Sequence, residues 1–192
     1  RISNLARTEA GTKFTLTPQE GASRDIELLV RGRHNVLNAT AAIAAVSSIG
    51  VDFDEACAAL EETAVLPSRR FEKIGNSEEF TVISDYSHHP VEIMAFIETA
   101  SDIPHERIVA VFQPHRYTRT KTMLTKFPEA FIGIDELVLC PVYCASECLI
   151  CGGAASDLYK AFRDAAAGNI RMPIPICADS TEEAALYVKA TL

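Results

Sequence analysis

The sequence lacks any apolar run of roughly 18 residues, the least a membrane-spanning helix needs, so no span is expected. It lacks an apolar signal-peptide core after Arg1-Ile2-Ser3-Asn4-Leu5-Ala6-Arg7. It lacks a basic excess: 18 Lys and Arg against 26 Asp and Glu leave a formal net charge of −8. That balance argues against general binding to nucleic acid or to an acidic membrane, while leaving room for a local cationic pocket. No Gly-x-x-x-x-Gly-Lys-Ser/Thr occurs, and none of the nine glycines precedes a lysine. Nothing here can cradle a β,γ-phosphate in a P-loop, so a use of ATP requires a phosphate loop outside this sequence. No serine sits in a Gly-x-Ser-x-Gly elbow.

What is present is an ordinary globular composition. The 192 residues are 48% hydrophobic and 23% charged, enough for one domain or one and a half. A domain of about 150 residues buries about 70% of its unfolded surface, so a real core is available. Six cysteines without an export signal read as reduced thiols of a cytoplasmic protein.

Residues 1–31 read as a β-hairpin or meander, with Lys13-Phe14-Thr15-Leu16-Thr17 alternating and Asp25-Ile26-Glu27-Leu28-Leu29-Val30 running apolar. Asn35 is the expected N-cap of a helix over 36–49, closed by Gly50 and buried because its apolar residues occupy nearly every face. A second helix is expected from Asp52 to about Glu62, and Pro67 marks a boundary near 64–72. Beyond it, strands are expected at 80–84, 107–112, 136–142 and 174–177. Helices are expected at 90–100, 121–131, 154–167 and 181–191. Strand–helix alternation with apolar strands predicts an α/β fold with a mostly parallel sheet and helices on both faces. Residues 1–66 make a poor independent core and read as the tail of a larger domain.

In open α/β sheets, ligands bind at the carboxyl ends of the strands. Three loops lie there: Asp85-Tyr86-Ser87-His88-His89-Pro90, then Gln113-Pro114-His115-Arg116-Tyr117-Thr118-Arg119-Thr120-Lys121, then Tyr143-Cys144-Ala145-Ser146-Glu147. Arg116, Arg119 and Lys121 fall just before or at a helix N-terminus, where guanidinium forks and free N–H groups suit a phosphate or carboxylate. The plainer reading is a solvated basic turn. Asp85 with His88 and His89 could hold a metal, orient a substrate or simply cap a loop. Glu92 reads as a surface acid favoured by the helix dipole. Asn38, one turn into the apolar helix, reads as a buried amide that wants partners. Arg69-Arg70-Phe71-Glu72 suits either an interdomain cleft or a salt-bridged hinge. Cys140, Cys144, Cys148 and Cys151 match no familiar metal spacing and read as buried or half-buried thiols.

Taken together, Gly32-Arg33-His34-Asn35-Val36-Leu37-Asn38-Ala39, Arg69-Arg70-Phe71-Glu72, Asp85-Tyr86-Ser87-His88-His89-Pro90 and Phe112-Gln113-Pro114-His115-Arg116-Tyr117-Thr118-Arg119-Thr120 resemble the Mur ligases of peptidoglycan synthesis in order and spacing. The resemblance runs from about residue 25 to the end. It implies that 1–66 end a central ATP-binding domain and that 67–192 form most of a Rossmann-like C-terminal domain that brings the amino acid. The N-terminal and remaining central parts, with the P-loop, are then expected upstream.

The implied reaction is ATP-dependent amide formation between L-alanine and UDP-N-acetylmuramate through an acyl phosphate, with Mg²⁺ bound mainly by the upstream parts. By the same resemblance, His34 and Asn38 contact the adenine side, Arg70 reaches the ATP phosphates and Asp85 binds the ribose. Tyr86, His88, His115, Arg116 and Arg119 surround the alanine and the acyl phosphate, with Arg116 first in line for the alanine carboxylate. His88, Arg116 and Arg119 are the expected catalytic residues. The sequence departs from the family pattern at Ser84, where a second Asp is usual. It departs again at Val65-Leu66-Pro67-Ser68, which lacks Phe-x-Gly, and at Cys144-Ala145-Ser146-Glu147, where Ala-Ala-Gly-Glu is more common. A non-catalytic nucleotide- or amino-acid-binding module of the same fold, and a metal- or thiol-based regulatory domain built on the cysteines, are the competing readings.

Overall fold

A computed structural model describes residues 1–63, 67–168 and 171–191. The boundary expected at 66/67 and the segment Val65-Leu66 thus fall at or within residues outside the described set. The chain divides into two compact units, Arg1–Ile74 with Ile83–Asp85, and Gly75–Val82 with Tyr86–Leu192.

In the first unit, β1 (Ile2–Arg7), β2 (Thr12–Leu16) and β3 (Arg24–Leu28) form an antiparallel sheet in chain order. Alternation along β2 and β3 sends Phe14, Leu16, Ile26 and Leu28 to one face. There they pack with Val36, Ala39 and Ile43 of α1 (Arg33–Ser48) and Ala56 and Cys57 of α2 (Phe53–Thr63).

Helix α1 departs from expectation in three ways. Its N-cap is Gly32, at φ 97, and Asn35 lies inside the helix, its amide donating to the Arg31 carbonyl at 2.7 Å. Only Val36, Ala39 and Ile43 are buried, a single stripe, because one small sheet offers one face to cover. Asn38 is exposed, so the buried amide read from the sequence is not one.

The short β4 (Glu72–Asn76), not anticipated from its polar pattern, pairs with β5 (Thr81–Ser84) across a turn closed by Ser77 N–H on the Phe80 carbonyl.

The second unit holds a parallel sheet of β6 (Val109–Phe112), β7 (Glu136–Leu139) and β8 (Ile176–Cys177) in that order. Strand β7 is covered on both faces. Leu137 and Leu139 point into a core with Phe112, Ile93 and Ile97 of α3 (Pro90–Ser101), Phe127 and Ala130 of α5 (Phe127–Ala130), and Leu158 and Phe162 of α6 (Ala155–Ala166). Val138, and Cys140 just beyond the strand, point the other way, onto Ala178, just past β8, and Ala184 of α7 (Thr181–Thr191). Both-face burial is why this strand reads as a continuous apolar run. The α/β class and helices on both faces therefore hold.

The helix expected over 121–131 is instead α4 (Tyr117–Thr122) and the single turn α5, separated by a turn. Thr120 and Thr122 bond their hydroxyls back to the carbonyls of Arg116 and Thr118, and Pro128 opens α5 without an N–H. Both features favour interruption over one long helix.

Candidate active site at the carboxyl ends of the parallel strands

Because β6 and β7 run parallel, the loops after them leave the sheet at the same end. A parallel bridge between His115 and Tyr143 continues their pairing past the strands, with Arg116 N–H on the Tyr143 carbonyl and Tyr143 N–H on the Pro114 carbonyl, each 2.8 Å. This ladder brings together side chains that the sequence separates.

His115 stacks on Tyr143, ring centroids 5.5 Å apart, and packs against His88 at 5.6 Å. His88 meets Tyr86 edge-on at 5.2 Å. Arg119 places a guanidinium nitrogen 3.2 Å from His115 Nδ1. A guanidinium only donates, so Nδ1 accepts and the imidazole is neutral with its proton on Nε2. Burial, followed by the charges of Arg119, His88 and Arg116, pushes the His115 imidazolium below its ordinary value, which favours the same neutral form. His88 is set the other way: its Nδ1 lies 2.7 Å from the Tyr86 carbonyl, which only accepts. Nδ1 therefore carries a proton, and Nε2 is the nitrogen at which the ring gains or loses a second one. The two touching histidines are thus held through the same nitrogen in opposite senses, Nδ1 of His115 accepting and Nδ1 of His88 donating.

His89 separates from this pair. It caps α3, its Nδ1 accepting from Val91 N–H at 3.2 Å, while Glu92 Oε2 accepts the His88 and His89 N–H groups, each at 3.2 Å. Glu92 is therefore half of a capping box rather than a bystander on the surface. Among the described residues no group of three His, Cys, Asp or Glu side chains is arranged to hold a metal ion.

Arg116 is the N-cap of α4 at φ 71 and ψ 134, an unusual conformation for a residue other than glycine, and its side chain is half exposed. Arg119 and Lys121 lie in the last turn of α4 rather than at its start. The N–H groups expected to be free at that start are partly taken. Glu147 accepts from Thr118 N–H at 3.0 Å and from Thr118 Oγ1 at 2.6 Å, with Arg116 3.7 Å away. These contacts, the Thr118 hydroxyl first, hold the Glu147 carboxyl below the ordinary carboxylate range. Sequence reasoning placed Glu147 and Tyr143 in the right loop but gave neither a role. The signal was the loop's position at a strand end.

The other named residues belong to the first unit. His34 and Asn38 stand on the first turns of α1, His34 half-buried. Arg69 and Phe71 take positive φ, 58 and 49, around the exposed Arg70. Phe71 N–H donates to Asp85 Oδ2 at 2.8 Å and Arg69 N–H to Glu72 at 2.6 Å, which fixes this loop. Left-handed non-glycine residues in a short segment are a known mark of functional loops. Of the cysteines, Cys57 and Cys140 are buried and Cys177 is exposed; Cys144, Cys148 and Cys151 are exposed too, against the expectation of covered thiols.

Comparisons with known proteins place the chain in a family. The family model for the Mur ligase glutamate ligase domain matches residues 69–190. The chain is 43% identical over 121 residues to the UDP-N-acetylmuramate–L-alanine ligase of Caldanaerobacter subterraneus subsp. tengcongensis, covering 63% of this chain and 26% of that protein. It is 38% identical over 192 residues to the ligase of the same name from Clostridium perfringens, covering 98% of this chain and 40% of that one. The crystal structure of the UDP-N-acetylmuramate–alanine ligase of Thermotoga maritima superposes with a TM-score of 0.67 at 28% identity, over 92% of this chain and 37% of that one. The chain thus spans about a quarter to two-fifths of the proteins it matches, and with a family model covering most of its length it belongs to the Mur ligase family.

Proposed function

We propose that this chain is the amino-acid side of an enzyme that joins L-alanine to UDP-N-acetylmuramate in cytoplasmic peptidoglycan precursor synthesis, driven by ATP. The observation that carries the reading is the convergence of Tyr86, His88, His115, Arg116 and Arg119 at one end of a parallel sheet, in a member of the Mur ligase family.

In this reading the terminal phosphoryl group of ATP moves to the lactyl carboxylate, giving an acyl phosphate and ADP. The alanine amine attacks the acyl carbon, phosphate leaves with the C–O electron pair, and an amide remains. The amine must first lose a proton, and His88 Nε2 is the acceptor offered, since its Nδ1 is committed to the Tyr86 carbonyl. His115 Nε2–H is the matching donor for the oxygen that gains charge at the acyl carbon. Arg119 fixes the His115 tautomer. Arg116, half exposed and only loosely paired, suits the alanine carboxylate. Positioning accounts for much of such catalysis.

On the nucleotide side, His34 and the exposed Asn38 are proposed for the adenine, Arg70 for the phosphates and Asp85, oriented by Phe71 N–H, for the ribose. The P-loop is proposed to come from the rest of the polypeptide. Mg²⁺ is proposed to be held mainly by the rest of the polypeptide, where it would neutralise the phosphates of ATP.

The test is product analysis with the full-length gene product, given ATP, Mg²⁺, UDP-N-acetylmuramate and L-alanine. Mass spectrometry should find the sugar nucleotide carrying one alanyl amide. Binding of ATP or alanine without any such product would favour a non-catalytic binding module.

A further inference from the structure

We propose that Glu147 is a positioning residue for alanine, holding the loop after β7 against the first turn of α4 so that Arg116 and His115 stand where the substrate needs them. The inference rests on the function proposed above and adds to it a residue for which the resemblance implied no role.

Four observations converge on Glu147. Its two oxygens are both engaged by Thr118, through the amide N–H at 3.0 Å and the hydroxyl at 2.6 Å. Its carboxylate faces Arg116 at 3.7 Å and is only one-fifth exposed. Its loop enters through Tyr143, which stacks on His115 and accepts the Arg116 N–H. The same loop bends through two non-glycine residues of positive φ, Ala145 at 48 and Ser146 at 70. A loop folded at that conformational cost persists only where its surroundings hold it, and Glu147 supplies the hold.

The clamp also explains Arg116. A cap residue at φ 71 has no intrinsic reason to stay there. Its N–H is tied to Tyr143 and its carbonyl takes both the N–H and the hydroxyl of Thr120. With the Tyr143 side fixed through Glu147 and the helix side fixed through Thr118, the residue between them is held from both directions. The charge of Glu147 then draws the guanidinium toward the strand ends without burying it. The contact is long and partly solvated, so an incoming carboxylate can displace it.

Steady-state kinetics of the full-length protein test this with Glu147→Gln and Thr118→Val. Each should raise KM for L-alanine about tenfold, with kcat within about threefold and KM for ATP unchanged, as expected when a binding group loses its placement. The double variant should be no worse than the poorer single one, since both remove the same clamp. Glu147→Asp should recover part of the loss. A lowered melting temperature with an unchanged alanine KM would reduce Glu147 to a structural tie and overturn the proposal. So would a loss of kcat at constant KM, which would put Glu147 on the reacting atoms.

If the unmodified protein shows no dependence on alanine, the functional reading fails, and the clamp is judged by NMR of the His115 ring. Its signals should shift in Glu147→Gln because Tyr143 and Arg116 move. Unchanged His115 signals would overturn the clamp.

Discussion

At the start of α3 every partner is local. His89 accepts from Val91, and Glu92 accepts from His88 and His89, all within five residues of chain. At the start of α4 the partner is remote: Thr118 is bound by Glu147, 29 residues further on. The two helices leave the same end of the second unit, and one is complete in its own sequence while the other is assembled by a neighbouring loop. A self-capped helix can hold a histidine still. A helix capped from outside ties two loops together, here the one carrying His115 and Arg116 and the one carrying Tyr143 and Glu147.

The sharpest way to break this comparison is Gly153→Ala. A Cβ there would lie 2.6 Å from the Tyr117 carbonyl oxygen and 3.1 Å from its carbon, so the approach of the loop to α4 is possible only for glycine. The substitution should cost about 3 kcal/mol in urea unfolding, through overpacking against backbone that cannot yield. An effect below about 0.5 kcal/mol, the range of ordinary surface changes, would contradict that packing.

Glu92→Ala probes the other helix. Loss of its half of the capping box should cost about 1 kcal/mol by the same measurement. The alanine KM should change far less than with Glu147→Gln, because α3 is closed by its own residues.

Ser146→Gly sharpens the comparison in the opposite sense. Ser146 sits at φ 70, in the left-handed region that favours glycine. Relief of the left-handed conformation, less the extra chain entropy of glycine, should raise stability by about 0.5 kcal/mol.

The weakest effect expected is on acid stability. The Glu147 carboxyl is held below its ordinary value in the folded protein, so its contribution is present above that ordinary value. It disappears as pH falls through the lower folded value. Glu147→Gln should therefore flatten the most acidic part of a melting-temperature profile. His115, also lowered, loses its contribution earlier, as pH falls below the ordinary histidine value of about 6.5. That part of the profile should survive in Glu147→Gln.

The contrast between the helices also explains what could be read in advance. The α3 start was legible because its signals, His89-Pro90 and Glu92, are neighbours, although Glu92 was underestimated as a surface acid. Strands β2, β3, β6 and β7 were legible from alternation or from unbroken apolar runs. Strand β4 was not, since Glu72, Lys73, Gly75 and Asn76 carry no pattern that a strand requires. On α1 an all-round apolar sequence suggested burial that one small sheet could not supply, which is why Asn38 proved exposed. His88, His115 and Arg119, grouped from the sequence by their strand-end loops, do lie together in the fold. Glu147 was not, because its partner is remote in sequence and only folding joins them.

The account stands most directly on phosphate release from ATP by the full-length protein in the presence of UDP-N-acetylmuramate and Mg²⁺, measured across L-alanine concentrations for the natural sequence and for Arg116→Gly, which suits φ 71. Release should depend on alanine, and the variant should need roughly 30- to 100-fold more of it, the loss of about 2–3 kcal/mol expected for one charged hydrogen-bonding partner. Its ATP requirement should be nearly unchanged. Release indifferent to alanine, or an equal loss of alanine and ATP affinity in the variant, would contradict the assignment of this strand-end cluster to the amino acid.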